Sequence, residues 1–147
     1  MTGLQSPERG LAHAPNMSQN TDGTHVVTTR SAEAAAHYRD GLTYVVKTSA
    51  LARSSAAFDA AVTADDHFAV ALAALAVVLD AGGMARESAV ALAQAGVGIG
   101  RATRRERQHV EIVGLFLGAD RSRARALGAA HLRDFAGDVL ISWLMSS

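Results

Sequence analysis

The residues best suited to chemistry form a basic cluster around residue 105. It comprises Arg101, Arg104, Arg105, Arg107 and His109. Guanidinium groups match carboxylate and phosphate oxygens in two-point hydrogen bonds, so the cluster is a candidate site for an anion or an acidic peptide. A helix that begins here would add the partial positive charge of its N-terminus. The alternative is a solvated helix face, in which Glu106 and Glu111 pair with some of the arginines.

Other patterns with chemical potential lack the context they need. The stretch 96–100, GVGIG, is similar to a dinucleotide-binding fingerprint, but that motif requires a preceding strand and here follows a predicted helix. No two of the six histidines, at positions 13, 25, 37, 67, 109 and 131, are three or four residues apart, so a metal site would need tertiary convergence. The chain has no cysteine, which excludes disulfides and thiolate chemistry. No catalytic triad or carboxylate pair can be nominated from spacing. We therefore expect no enzyme activity, no cofactor and no metal.

Composition limits the partners. The 147 residues carry 14 basic and 14 acidic side chains, so no global field attracts nucleic acid or anionic lipid. Aromatic residues are not interleaved with the arginines, as base stacking would require. The longest apolar run, 68–79, has 12 residues, whereas a bilayer span needs about 20. The first residues lack the pattern of a secretory signal. We expect a cytoplasmic protein with no nucleic-acid or membrane partner.

The first 30 residues differ from the rest. They contain both prolines and several Gly, Asn and Thr residues without sustained periodicity, which predicts a flexible leader over 1–30. Met17 is an alternative start to Met1. The segment 25–29 favours β structure but has no partner strand, so we interpret it as coil.

From Ser31 onward, apolar residues recur at helical spacing and predict an all-α fold. Ser31 is a suitable N-cap, Thr103 and Glu106 fit a capping box, and Gly82–Gly83 supplies a helix-ending turn. The third helix is apolar nearly all round, so we expect burial on both sides. The predicted helices cover about 31–46, 51–64, 67–81, 85–97, 103–117 and 121–133, with a partial seventh in 138–147.

The helices repeat in pairs. Phe58, Leu92 and Leu127 occupy the middle of the second helix of each pair, and an alanine follows three residues after each, at 61, 95 and 130. The steps are 34 and 35 residues, and a 34-residue helix-turn-helix is the tetratricopeptide period. The units are about 31–64, 65–100 and 101–135. The prediction is a right-handed α-α superhelix of about three helix pairs over 31–147.

Three stretches also resemble an actinobacterial family of tetratricopeptide-repeat proteins that is related to a eukaryotic family. They are TADDHFAVALAALAVVL (63–79), TRRERQHVEIV (103–113) followed by the turn at 118–120, and AHLRDFAGDVL (130–140), where the family pattern has proline at Ala136. The resemblance covers about 31–143. Members of the family are longer, so the chain resembles an amino-terminal portion. The family has no well-established activity, so the resemblance implies architecture only.

The first functional hypothesis is a non-catalytic scaffold that binds a protein or peptide on a concave face. By the resemblance, the first helix of each pair lines that face. The candidate partner-binding residues are Val70, Ala73, Val77, Asp80, Arg104, Arg105 and Gln108.

The second hypothesis is a helical regulatory or oligomerisation portion of a larger protein or enzyme. It rests on the apolar C-terminal stretch, whose side chains have no following helix to cover them, which predicts self-association. The residues concerned are Val139, Leu140, Ile141, Trp143 and Leu144.

Overall fold

A computed structural model describes residues 20–48 and 50–147 of the chain. Their secondary structure is all-α, with seven helices packed against one another. The helices are α1 (Ala32–Thr43), α2 (Leu51–Ala64), α3 (Ala69–Ala81), α4 (Ala85–Val97), α5 (Arg104–Leu117), α6 (Arg121–Asp134) and α7 (Val139–Met145). A π-helical turn, Tyr44–Thr48, continues α1, and a 3₁₀ turn, Ile99–Arg101, precedes α5. The predicted all-α class is confirmed.

The helix ends follow from local hydrogen bonding. The Ser31 side chain accepts from the Ala34 amide at the start of α1. Thr103 and Glu106 form the predicted capping box at the start of α5, which satisfies two amides that have no partner within the helix. Gly83 adopts φ 81° after α3, a conformation that glycine takes without steric cost. The sequence signals at these three ends are therefore confirmed.

The middle pair contains the most buried helix. Ten consecutive residues of α3, from Ala69 to Val78, are buried, and α3 packs against α2, α4 and α5. Its alanines allow close approach, and the buried Ser88 hydroxyl of α4 donates to the Ala76 carbonyl at 2.7 Å. Burial all round α3 is confirmed.

Two local predictions are wrong. The helical spacing of four positions predicts a close-packed face of small residues on α4, formed by Ala85, Ala89, Leu92 and Ala95 or Gly96. Ala95 is buried, but Ala85 and Ala89 are exposed, and the buried face is Ser88, Ala91 and Ala95. The face is rotated because α4 packs mainly on α3 and only lightly on α5.

The other concerns the two aspartates before α3. The acidic pair Asp65–Asp66 predicts both the end of α2 and a cap for α3. Asp65 is the residue at which α2 ends, but the N-cap of α3 is Phe68, without a side-chain cap hydrogen bond. Asp65 instead accepts from the His67 amide and the Thr29 hydroxyl.

The segment 20–31, which we call the N-terminal segment, packs against the helices. Val27 and Thr29 are buried, and Gly23 at φ 104° sits in a tight turn closed by one isolated bridge between Thr21 and Val26. The predicted flexible leader over 1–30 therefore does not extend through 20–30, and residues 1–19 lie outside the described residues. The segment is held in place because side chains of α5 supply partners for its polar groups. Local composition does not reveal these long-range contacts.

The last helix returns to the first. α7 packs on α6 and also contacts the Tyr44–Thr48 turn at the end of α1. Leu140, Ile141 and Leu144 are buried in the same core as α1 and α3. The expectation that these three would be uncovered is therefore wrong, because α6 and the preceding elements cover them, while Val139 is 37% exposed.

Candidate functional site

The predicted basic cluster divides into an outer and an inner part. Arg101, Arg104 and Arg107 are exposed; Arg104 lies 3.7 Å from Asp134 and over the Phe135 ring. Arg105 and His109 point inward and are 4% and 0% exposed. The five residues therefore do not form one surface patch. α5 has a buried and an exposed side, and helical periodicity assigns its basic residues to both.

Glu106 does not pair with the arginines, as one sequence hypothesis held. It is buried, and its carboxylate accepts from the Thr28 amide at 2.8 Å, the Thr28 hydroxyl at 2.5 Å and the Thr103 amide at 2.9 Å. One carboxylate thus caps α5 and holds the N-terminal segment. The capping signal was visible in the sequence, whereas the tether to Thr28, 78 residues away, was not.

A buried polar cluster lies where α5, α6 and α7 meet. It comprises Arg105, His109, His131 and Asp138, and we call it the histidine–carboxylate centre. Asp138 Oδ2 is 3.0 Å from Arg105 Nη1, 2.9 Å from His109 Nδ1 and 2.8 Å from His131 Nε2. The side chains of the two histidines are fully buried and that of Asp138 is 2% exposed. Such a cluster is stable only when its charges and hydrogen bonds are matched.

Secondary structure places these four residues. Arg105 and His109 are four residues apart on α5 and therefore share one face. His131 lies in the last turn of α6, and Asp138 is the N-cap of α7, with Oδ1 3.4 Å from the Ile141 amide. The short α6–α7 connection brings the last two together. A histidine ending one helix and an aspartate capping the next is a signal that sequence reasoning had available and missed.

The charges of the centre shift the pKa of two groups, the Asp138 carboxyl and the Tyr38 phenol. Burial alone would raise the pKa of Asp138, but His109, His131 and Arg105 hold the pKa of this carboxyl well below its ordinary value. Tyr38 of α1 is also near: burial, then the charges of Asp138, Asp22 and Glu106, raise the pKa of its phenol, with Arg105 opposing.

The predicted partner-binding residues are mostly not on a surface. Val70, Ala73 and Val77 are 0%, 0% and 4% exposed, and they belong to one core with residues of α1, α5 and α7. They cannot contact a partner in this structure, because the face that they form is covered by the protein itself. Arg105 is likewise buried, Gln108 is half-buried, and Asp80 and Arg104 are exposed.

An open apolar groove lies elsewhere, between α2, α3 and α4, and we call it the outer groove. Its floor contains Leu72, Leu75 and Ala91, and Val90, at 54% exposed, stands at its side. The remaining lining residues are Asp59, Val62, Leu79, Arg86, Glu87 and Gln94. An apolar floor with a polar rim is typical of a site for another polypeptide.

Comparisons with family models, curated proteins and solved structures find no match to the chain. Within the described residues, no helix has both the length and the apolar character needed to cross a membrane.

Proposed function

We propose that the protein is a non-catalytic, tetratricopeptide-like helical module that binds a partner protein through a helix of that partner. The observation that supports this function is the outer groove, where Leu72, Leu75, Leu79, Val62 and Val90 form an apolar strip along α2, α3 and α4. An amphipathic helix with apolar residues at i, i+3, i+4 and i+7 suits such a strip. Asp59, Arg86 and Glu87 at the rim offer charges of both signs to its polar face.

This placement differs from the concave face of the sequence hypothesis. The apolar residues expected there, Val70, Ala73 and Val77, are buried, and α7 contacts the end of α1. The outer groove is instead formed by both helices of the middle pair together with the second helix of the first pair. The binding role proposed from the helix-pair pattern is thus retained, and its location is moved.

The test is a selection from a displayed library of amphipathic helical peptides. The bait is the wild-type full chain, and every recovered peptide is then measured against Val90→Asp, since a charge on this 54% exposed residue disrupts the groove without entering the core. Val97→Asp is the matched control, because Val97 is an 81% exposed valine on the same helix that does not line the groove. We expect peptides with the i, i+3, i+4, i+7 pattern that bind Val90→Asp at least about 10-fold more weakly than wild type and Val97→Asp equally. Recovery of no peptide, or of peptides indifferent to Val90→Asp, would contradict the proposal.

A second candidate is self-association through α7, and one observation favours it. Val46, Val139 and the half-buried Trp143 line a shallow depression with Ala136, Ser142 and Ser146. Sedimentation equilibrium would show a dimer that Val139→Asp dissociates. A monomer at high concentration would exclude it.

A further inference from the structure

The histidine–carboxylate centre has the donor set of a metal site. One nitrogen of His109, one nitrogen of His131 and one oxygen of Asp138 lie within 4.8 Å of one another, and all three residues are buried. The donors come from α5, α6 and the start of α7, so the fold and not local sequence spacing assembles them. Two imidazoles and a carboxylate suit divalent transition metals, whereas Mg²⁺ and Ca²⁺ prefer oxygen ligands alone.

The hydrogen bond on the far side of His131 supports this assignment. Its Nδ1 is 2.6 Å from Gln108 Oε1, while Nε2 is 2.8 Å from Asp138 Oδ2. With acceptors on both sides, the ring either carries two protons or directs the Nε2 lone pair at a cation. Metal-bound histidines characteristically donate the other ring N–H to a carbonyl or carboxylate oxygen. Gln108 supplies such an oxygen.

The balance of buried charges also favours a bound cation. Arg105 is the guanidinium that faces the side chains of Asp138 and Asp22, at 3.0 and 3.7 Å. Glu106, which follows Arg105 on α5, adds a third buried carboxylate and is 1% exposed. The buried carboxylate groups of Asp138, Asp22 and Glu106 therefore outnumber the single guanidinium group of Arg105. An excess of buried carboxylates is costly in a protein interior, and a cation bound at Asp138 would offset part of it.

We propose that His109 Nδ1, His131 Nε2 and an oxygen of Asp138 bind one divalent transition-metal ion, with Zn²⁺ or Co²⁺ as suitable probes. The ion replaces the protons that otherwise bridge the imidazoles to the carboxylate. Metal–ligand distances of about 2.0–2.2 Å place tetrahedral donors roughly 3.4 Å apart. The present nitrogen–oxygen separations of 2.8 and 2.9 Å need widen only slightly. Arg105 remains as a hydrogen-bond donor that orients the carboxylate.

The experiment uses the full chain and the metal alone. Because the side chains of the centre are buried, the protein is unfolded in EDTA, refolded with one equivalent of Co²⁺ or Zn²⁺, and desalted. We expect one ion per chain by elemental analysis, visible absorption bands of Co²⁺ with nitrogen and oxygen ligands, and a higher Tm. Mg²⁺ should have none of these effects.

Four variants locate the ion. His109→Gln and His131→Gln should lose it, and Gln108→Ala, a half-buried position that tolerates truncation, should weaken affinity about 10–100-fold. His67→Gln is the matched control, because the His67 side chain is 68% exposed and outside the centre. If His109→Gln and His131→Gln fail to fold, the metal affinity of Gln108→Ala tests the proposal. A wild-type chain that refolds without retaining metal would overturn the proposal, as would equal metal affinities of Gln108→Ala and the wild type.

Discussion

At the scale of single residues, Asp138 connects more of the polar structure than any other side chain of the centre. It accepts from a guanidinium and two imidazoles while it caps α7. A buried group with this many partners is costly to alter, because each partner loses its acceptor in an environment that water does not reach. Stability should therefore respond more strongly to Asp138 than to the surface ion pairs.

We expect Asp138→Asn to destabilise the metal-free protein by about 3–5 kcal/mol at pH 7, since both buried histidines lose their carboxylate acceptor and Arg105 keeps only the longer 3.7 Å contact with Asp22. The measurement is urea unfolding in EDTA. Asp134→Asn is the control: Asp134 pairs with Arg104 at 3.7 Å but is 57% exposed. Such a pair contributes about 0–1 kcal/mol. Equal effects of the two substitutions would show that the centre is not stabilised by its charges.

Tyr38 should determine part of the loss of unfolding free energy at alkaline pH. Burial, then Asp138, Asp22 and Glu106, raise the pKa of its phenol, so the folded state holds this proton more tightly than the unfolded state does. The contribution is fully present below the unfolded pKa of about 10 and is lost as pH rises above that value. Tyr38→Phe should reduce the loss of stability between about pH 10 and 11 in urea unfolding. Tyr44→Phe, at a half-buried position outside the centre, is the comparison substitution.

At the scale of helices, the sequence was informative at three helix ends that are fixed by local hydrogen bonds or backbone conformation. The cap at Ser31, the capping box at Thr103 and the turn at Gly83 act within four residues of themselves, and the structure confirms each. Three findings depend on contacts between distant residues: the rotated face of α4, the anchored N-terminal segment, and the meeting of His109 with Asp138. Helical spacing cannot show these, because it identifies an apolar face without identifying what covers it.

Packing between α1 and α2 gives a prediction at this scale. A methyl group on Gly41 would overlap the ring of Phe58, which is fully buried. We expect Gly41→Ala to destabilise by about 1–3 kcal/mol through overpacking. Gly96→Ala on α4 has no atom within 4 Å of the added carbon, and alanine is the better helix former, so it should stabilise by about 0.5–1 kcal/mol. Thermal unfolding followed by circular dichroism measures both, and changes of the same sign would contradict this account.

At the scale of the molecule, the long-range contacts join the first and last parts of the described chain. The N-terminal segment reaches Asp65 before α3, and Arg105 and Glu106 on α5. α7 reaches the turn that ends α1. In a linear repeat array each unit contacts only its neighbours, and the ends can unfold separately. Here an end cannot detach without breaking contacts with non-neighbouring helices.

We therefore expect the chain to unfold in one cooperative transition. Trp143 is the single tryptophan and lies on α7, so its fluorescence reports on the last helix, while far-ultraviolet circular dichroism reports on all seven. The two urea transitions should coincide in midpoint and slope, which is the criterion for two-state unfolding. Val139→Asp, which weakens the contact of α7 with the end of α1, should move the fluorescence midpoint to lower urea than the circular dichroism midpoint. Separate midpoints in the wild-type protein would instead show that α7 unfolds independently, as the end of an open array does.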